Sequence, residues 1–168
     1  KLGNIEPLSQ MGDLSAAMYA KWAKKYGMEL VIEEKFDNKG TDFTTQMSKI
    51  KAAGADSIGT LASGGPATIL VKNRDQVGMK DVPMMTSDAN LSKKFIKLLG
   101  ENTFNVYTVG AISNYVDYLK DSDPQKARIL DFVKKYEAKF GKKPRSMFFA
   151  PCGYDTALMF INAMKAVG

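Results

Sequence analysis

Strand-like segments alternate with helix-like segments over the first 112 residues, and glycines mark most of the points where a helix ends. Gly27, Gly54, Gly78 and Gly100 each follow a run in which apolar side chains recur every three or four positions. Parallel strands need a crossover of about a dozen residues between them, usually a helix. The alternation therefore predicts an α/β fold with a mainly parallel open sheet flanked by helices.

The predicted elements follow from these patterns. The expected strands are 1–5, 28–36, 56–62, 82–87 and 104–110. The first helix should span Asp13–Tyr26, with an apolar stripe of Leu14, Ala17, Met18, Trp22 and Tyr26. The remaining helices are one capped by Thr41 or Asp42 that buries Phe43, Met47 and Ile50, one that begins at Pro66, a short one through Phe95 and Leu99, and two in the last third at Pro124–Phe140 and Cys152–Val167. In the helix from Pro124, Ile129, Phe132, Val133 and Tyr136 should face inward.

The composition excludes several classes of function. The 168 residues contain no histidine and one cysteine, so an internal disulfide, a Ser-His or Cys-His nucleophile pair and an imidazole metal ligand are all absent. The basic residues behind the net charge of +6 are spread as lysine pairs, which are typical of a solvated surface, and no segment has the aromatic-basic pattern of an RNA-binding element. We therefore predict no catalytic residue, no metal site, no cofactor and no nucleic-acid partner.

A glycine-rich loop, ASGGPA at positions 62–67, lies between a predicted strand and a predicted helix. It lacks the Gly-Lys-Ser/Thr ending of a phosphate-binding P-loop, and it matches neither GxGxxG nor GxSxG. Ser63 and the amides of Gly64 and Gly65, next to a helix N-terminus, can hydrogen-bond a small polar ligand. A tight turn that needs glycine for its backbone angles explains the same residues, and both interpretations stay open.

Two further residues stand out. Asp88 follows the predicted strand 82–87 at the edge of the sheet where ligands bind in open α/β folds, so it can bind a ligand or cap the next helix. Cys152 lies between proline and glycine, and we predict a small core residue there rather than a nucleophile.

Four segments, taken in order, resemble one family. GTDFTTQMSKIKAAGADSI, GGPATILVKNRDQVGMKDVPMMTSDANLS, FVKKYEAKFGKKP and GYDTALMFINAMKAVG are similar to the type I periplasmic substrate-binding proteins of ABC importers for branched-chain amino acids. The resemblance implies a flavodoxin-like lobe that is half of a two-lobed clamp around a ligand. It implies that residues 1–112 form a ligand-binding lobe, and that residues 113–168 are a helical continuation that normally packs on the partner lobe. The chain would then be a fragment, in which exposed helices favour a homodimer or a swapped dimer.

The resemblance also implies a site and partners. In the family an acid at the position of Asp88 binds the ligand ammonium, and the loop at Ala62, Ser63 and Gly64 adds contacts. Met11 stands where the family commonly has a tyrosine, which leaves room for a ligand other than a branched-chain amino acid. The implied ligand is an amino acid or a related small carboxylate, the implied partner is an ABC permease, and the implied location is periplasmic or extracellular. A ligand-sensing receptor of the same fold is the alternative, and an enzyme on a flavodoxin-like fold is less favoured.

Overall fold

The computed structural model describes residues 1–145 and 147–167. They form two compact units, one of residues 1–109 and one of the described residues from 110 onward. In the first unit five parallel strands form one sheet: β1 (Leu2–Pro7), β2 (Leu30–Phe36), β3 (Ser57–Gly59), β4 (Met84–Thr86) and β5 (Val106–Thr108). Their order in the sheet is β2-β1-β3-β4-β5, and helices connect them: α1 (Gln10–Lys25), α2 (Thr44–Ala52), α3 (Gly64–Gln76) and α4 (Lys93–Leu99). The predicted α/β fold with a parallel, helix-flanked sheet is confirmed.

The central strand β1 is buried along its whole length and pairs in parallel with both β2 and β3. Successive side chains of a strand point to opposite faces of the sheet. Gly3 and Ile5 therefore face α2 and α3, whereas Asn4 and Glu6 face α1. The first face carries the apolar core, and the second carries buried polar groups.

The core lies between the sheet and the helices α2, α3 and α4. Its side chains come from four strands, from the loops next to them and from the apolar faces of these helices. They include Ile5, Phe36, Phe43, Met47, Ile50, Ile58, Leu70, Val71, Met84, Phe95 and Leu99. The prediction that Phe43, Met47 and Ile50 are buried is confirmed. Burying aliphatic and aromatic side chains of this size stabilises the unit by about 1.5–3 kcal/mol each.

Helix α1 packs differently from what its apolar stripe suggests. Its buried residues are the small ones, Gly12, Ala16 and Ala23, whereas Leu14, Met18 and Tyr26 are exposed. A close approach to the strands explains this: a side chain at Gly59 of β3 would overlap the ring of Tyr19, with its Cβ only 2.4 Å from a ring carbon. The stripe predicts the helix correctly but does not mark its buried face.

Several helices begin at other residues than the sequence predicts. Helix α1 starts at Gln10 with Ser9 as its N-cap, and α3 starts at Gly64 rather than at Pro66. The N-cap of α2 is Phe43, so neither Thr41 nor Asp42 caps this helix. Asp42 instead accepts hydrogen bonds from the backbone and the hydroxyl of Thr44, at 2.9 and 2.8 Å, so it supports the first turn from one position further out.

The second unit contains a 3-10 segment, Ile112–Tyr118, and two long helices, α5 (Pro124–Phe140) and α6 (Phe149–Val167). Helix α5 has the predicted bounds, with Asp123 as its N-cap and Gly141 as its left-handed C-cap. Phe132 is buried there, and Ile129, Val133 and Tyr136 are half-buried, as predicted. Helix α6 begins three residues before the predicted Cys152. Among residues 1–145 and 147–167, no helix combines the length and the apolar character that crossing a membrane requires.

The apolar side chains of α6 generate a prediction about association. Met159, Phe160 and Met164 are each more than 60% exposed, and exposed apolar faces of this kind drive proteins together. We expect the 168-residue chain to dimerise or oligomerise, and Phe160→Lys to shift it toward the monomer, as measured by light scattering over a range of concentrations.

Asn162→Lys is the matched control, because it adds the same charge to an exposed position of the same helix. A wild-type chain that stays monomeric at all concentrations contradicts the prediction, as does an equal effect of the two lysines.

Candidate functional site

The loops that follow β1, β3 and β4 lie at one edge of the sheet, because all five strands are parallel and their carboxyl ends coincide. Ligands of open α/β sheets bind at this edge. These loops, together with the first residues of the helices that follow them, contain every residue that the sequence predicts for the site: Met11, Ala62, Ser63, Gly64 and Asp88.

The loop after β3, residues 60–64, is held by side chains at nearly every step. The amide of Leu61 donates to Glu6 Oε2 at 2.8 Å, and the amide of Ala62 donates to Thr60 Oγ1 at 3.0 Å. The hydroxyl of Thr68 on α3 donates to the carbonyl of Gly64 at 3.0 Å. The loop is therefore a defined surface rather than a mobile connection.

Ser63 is the residue of this loop whose side chain takes no part in these hydrogen bonds. It is exposed, it occupies the N-cap position of α3, and its hydroxyl makes no capping bond. The amide of Gly65 in the first turn of α3 has no acceptor within the helix, as the geometry of a helix N-terminus dictates. Ser63 and Gly65 thus offer two donors for an acceptor from outside the chain.

Ala62 and Gly64 contribute differently from Ser63. Ala62 is buried, and both its amide and its carbonyl are paired within the chain. The amide of Gly64 donates to Asn90 Oδ1 at 2.8 Å, so it too has a partner. Gly64 adopts φ +61°, a left-handed conformation that side chains disfavour, which gives the glycine a backbone role.

Asp88 lies in a short 3-10 turn, Asp88–Asn90, directly after β4. Its Oδ1 accepts the hydroxyl proton of Ser87 at 3.1 Å, and Oδ2 has no donor among the residues that the structure describes. The N-cap of α4 is Ser92, whose hydroxyl accepts from the amide of Phe95. The alternative that Asp88 caps this helix is therefore wrong, and half of a partly exposed carboxylate remains free at the edge of the sheet.

Asn90, which the sequence analysis did not single out, connects these two loops. Its side chain is buried, and its amide nitrogen donates to the carbonyl of Ala62 at 2.9 Å while its oxygen accepts from Gly64. It brings the segment that carries Asp88 against the segment that carries Ser63. An asparagine two residues after a suspected ligand residue gives no signal in the sequence, since turns often contain one.

Behind the loops lies a buried polar cluster centred on Glu6. Its carboxylate is fully buried and accepts from Asn4 Nδ2 at 3.0 Å and from Ser15 Oγ at 2.8 Å, in addition to the amide of Leu61. Burial raises the pKa of Glu6 above its usual value, and these hydrogen bonds oppose part of the rise. Burial and the nearby charge of Glu6 raise the pKa of the Tyr19 hydroxyl to about 12.

Met11 is exposed in the first turn of α1, and its place depends on the glycine that follows it. A Cβ atom on Gly12 would stand 2.0 Å from the carbonyl oxygen of Pro7, so only glycine lets α1 start this close to the end of β1. Met11 thus presents a flexible apolar side chain at the same edge as Ser63 and Asp88.

Other features of the molecule lie away from this edge. An apolar groove of about 330 Å³ runs along the α1 face of the sheet, between Tyr19 and Trp22 on one side and Met85 and Tyr107 on the other. Cys152 is exposed on α6, so its prediction as a core residue is wrong; the helix extends past it and turns it outward. Within the described residues, no group of three or more acidic or cysteine side chains is arranged to hold a metal ion.

The raised pKa of Glu6 predicts a pH dependence of stability. Folding favours the protonated carboxyl, so the contribution of Glu6 to the free energy of unfolding is fully present below the unfolded pKa and is lost as the pH rises through the folded pKa. We expect the stability of the wild type relative to Glu6→Gln to increase from pH 7 toward pH 4.5. Urea unfolding followed by the fluorescence of Trp22, the single tryptophan, reports on the first unit.

Glu33→Gln is the control, because it removes an exposed carboxylate from the neighbouring strand β2. If the two variants show the same change relative to wild type at both pH values, the buried environment of Glu6 is not responsible.

Comparison with solved structures supports the same interpretation of the fold. An extracellular ligand-binding receptor from Rhodopseudomonas palustris is 27% identical, with a TM-score of 0.76 over 92% of this chain and 43% of that protein. A type 1 periplasmic binding protein from Bordetella pertussis Tohama I is 25% identical, with a TM-score of 0.67 over 83% of this chain and 36% of its own.

A third similar structure is a branched-chain amino acid ABC transporter periplasmic ligand-binding protein from Burkholderia xenovorans LB400. It is 23% identical, and its TM-score of 0.71, over all of this chain and 42% of that one, shows a shared fold. The chain thus spans less than half the length of these three proteins. A comparison with curated proteins gave no significant match. A family model described as periplasmic binding protein matches residues 1–168. Because this match covers all of the given sequence, the chain belongs to the periplasmic binding protein family.

Proposed function

We propose that the chain is part of the solute-binding component of an ABC importer and contributes one side of a site for an amino acid or a related small carboxylate. The observation that carries the proposal is the pairing of chemistry at one edge of the sheet. Asp88 offers a free carboxylate oxygen, and Ser63 and Gly65 offer donors on a loop fixed against it. The match to the periplasmic binding protein family supports a binding function rather than catalysis.

The two halves of this surface suit the two ends of an amino acid. A desolvated ammonium group needs an opposite charge and hydrogen-bond acceptors, which Asp88 supplies. Hydroxyl and amide donors next to the N-terminus of α3 favour a carboxylate or carbonyl oxygen. Met11 adds an apolar contact that adapts to side chains of different shape.

The assembly that we propose follows from the family. Two-lobed binders close on their ligand by a hinge motion, and the closed state is the one that the ligand stabilises. The present site is an open surface on one unit, so the remaining contacts would come from elsewhere in a complete protein. The partner would be an ABC permease, and the location would be periplasmic or extracellular, as the family implies.

A receptor that senses the same ligand is the second candidate. The similar protein from Rhodopseudomonas palustris is described as an extracellular ligand-binding receptor. Transport and sensing would use the same site, and they differ in what the closed form contacts. Uptake of radiolabelled ligand by membrane vesicles that contain the cognate permease supports the importer, whereas binding without uptake supports the receptor.

The role of Asp88 is directly testable in the full-length protein. Isothermal titration against a panel of L-amino acids and small carboxylates identifies a ligand, and the same titration is repeated with Asp88→Asn and Asp88→Ala. Removing the charge leaves the ammonium without its partner, so affinity should fall by about 2–5 kcal/mol where the pair is desolvated. Asn keeps the shape of the side chain, so a similar loss in both variants assigns the effect to the charge.

The matched control is Asp81→Asn, which removes an exposed carboxylate from the connection before β4, at the opposite edge of the sheet. Because Ser92 rather than Asp88 caps α4, a loss in the Asp88 variants is not a capping effect. Unchanged affinity in Asp88→Asn rejects the proposed ammonium contact.

A further inference from the structure

The side chain of Asn90 occupies a position where neither of its polar ends is free. Asn90 is 2% exposed, and its two amide atoms pair with the carbonyl of Ala62 and the amide of Gly64 at 2.9 and 2.8 Å. A buried side chain with both ends paired is unsuited to contacting a ligand. Its hydrogen bonds act on the loop on either side of Ser63.

The other side chains that hold this loop belong to β1, to α3 and to the loop itself. Glu6 reaches Leu61 from β1, Thr60 pairs with Ala62 within the loop itself, and Thr68 reaches Gly64 from α3. Asn90 differs because it belongs to the segment after β4. In the part of the chain that the structure describes, the side-chain hydrogen bonds that connect the segment of Asp88 to the segment of Ser63 are those of Asn90.

The conformation between the two bonds explains why a tie is needed there. Ser63 is extended, with φ −133° and ψ 156°, and the next residue, Gly64, is left-handed with φ +61°. Glycine has the largest backbone freedom of any residue, so this reversal costs the most entropy to fix. Asn90 accepts from the amide of Gly64 and donates to Ala62, and so it fixes the backbone on both sides of Ser63.

We propose that Asn90 is a positioning residue of the ligand site: it holds the loop at 60–64 against the segment of Asp88, and so fixes where the Ser63 hydroxyl stands relative to the Asp88 carboxylate. The inference rests on the proposed function, because it assigns Ser63 and Asp88 to one ligand. It predicts that ligand affinity depends on a residue that the ligand does not touch.

The side-chain amide of Asn90 accepts one hydrogen bond and donates the other, so two substitutions can test the two bonds separately. Asn90→Ala removes both bonds and leaves the amide of Gly64 and the carbonyl of Ala62 without side-chain partners. Asn90→Asp keeps an acceptor for Gly64 and loses the donor for Ala62. The two variants should therefore differ at the amide of Gly64.

The first measurement is amide hydrogen exchange by NMR on the 168-residue chain, which needs no ligand. We expect the amide of Gly64 to exchange about tenfold faster in Asn90→Ala than in the wild type, and to keep most of its protection in Asn90→Asp. Asn73→Ala is the matched control. Asn73 is also buried, and its side-chain oxygen accepts a hydrogen bond from the backbone amide of Phe43 at 2.8 Å. It lies near the C-terminal end of α3, away from the loop.

The second measurement is a double-mutant cycle in the full-length protein with L-leucine as the probe. Ser63→Ala should weaken L-leucine binding about three- to tenfold in the wild-type background, as the loss of one hydrogen bond does. The same change should have little effect in the Asn90→Ala background, because Ser63 is no longer held in place. Asn73→Ala serves as the background that loses a buried asparagine without releasing the loop.

The outcomes distinguish a failure of the proposed role of Asn90 from a failure of the proposed ligand-binding function. Equal effects of Ser63→Ala in the wild-type and Asn90→Ala backgrounds overturn the positioning role, as does a Gly64 amide whose exchange is unchanged in Asn90→Ala. Wild-type protein that fails to bind L-leucine removes support from that choice of ligand, and the role of Asn90 in fixing the loop is then decided by the exchange rates alone.

Discussion

The hydrogen bonds of the fully buried Glu6 carboxylate are the interactions on which the edge that carries the proposed ligand site depends. They join the central strand β1 to α1 through Ser15, and to the loop after β3 through the amide of Leu61. Taking a carboxylate out of water is unfavourable unless donors surround it, and here three donors do. The three segments are therefore held together by hydrogen bonds whose removal would leave a buried group unpaired.

A second buried polar side chain fixes the opposite edge of the same sheet. Arg74, near the C-terminus of α3, is fully buried and donates to the carbonyls of Val82, Phe104 and Asn105, at 2.8–3.1 Å. These carbonyls lie just before β4 and β5. The short strands β4 and β5 are thus anchored where they begin by Arg74, and the loops beyond β3 and β4 are anchored by Glu6 and Asn90. Three-residue strands need such ties, because each contributes few ladder hydrogen bonds of its own.

The order of strands and helices could be predicted from the sequence because it depends on periodicity and on stop signals such as Gly27 and Gly78, which are local. The position of Asp88 after a buried strand was also readable, and so was the edge at which it lies. The role of Asn90 was not, because its two partners are 28 and 26 residues away and neither spacing has a signature. The apolar stripe of α1 does not mark its buried face for a related reason: burial there follows the closeness of the sheet, which favours Ala16 and Ala23 over Leu14.

The two faces of the sheet divide the requirements of stability and of binding. Apolar side chains of Ile5, Ile58 and Met84 face α2, α3 and α4, and this face supplies the non-directional part of the folding free energy. The other face has Asn4 and Glu6 near the loops, and hydrogen bonds are directional, so they set positions rather than only compactness. In the function that we propose, a hydroxyl and a carboxylate are held at a fixed spacing, and such a surface needs directional bonds directly beneath it. The burial of polar groups at this edge, which is unfavourable for an ordinary core, is consistent with such a requirement.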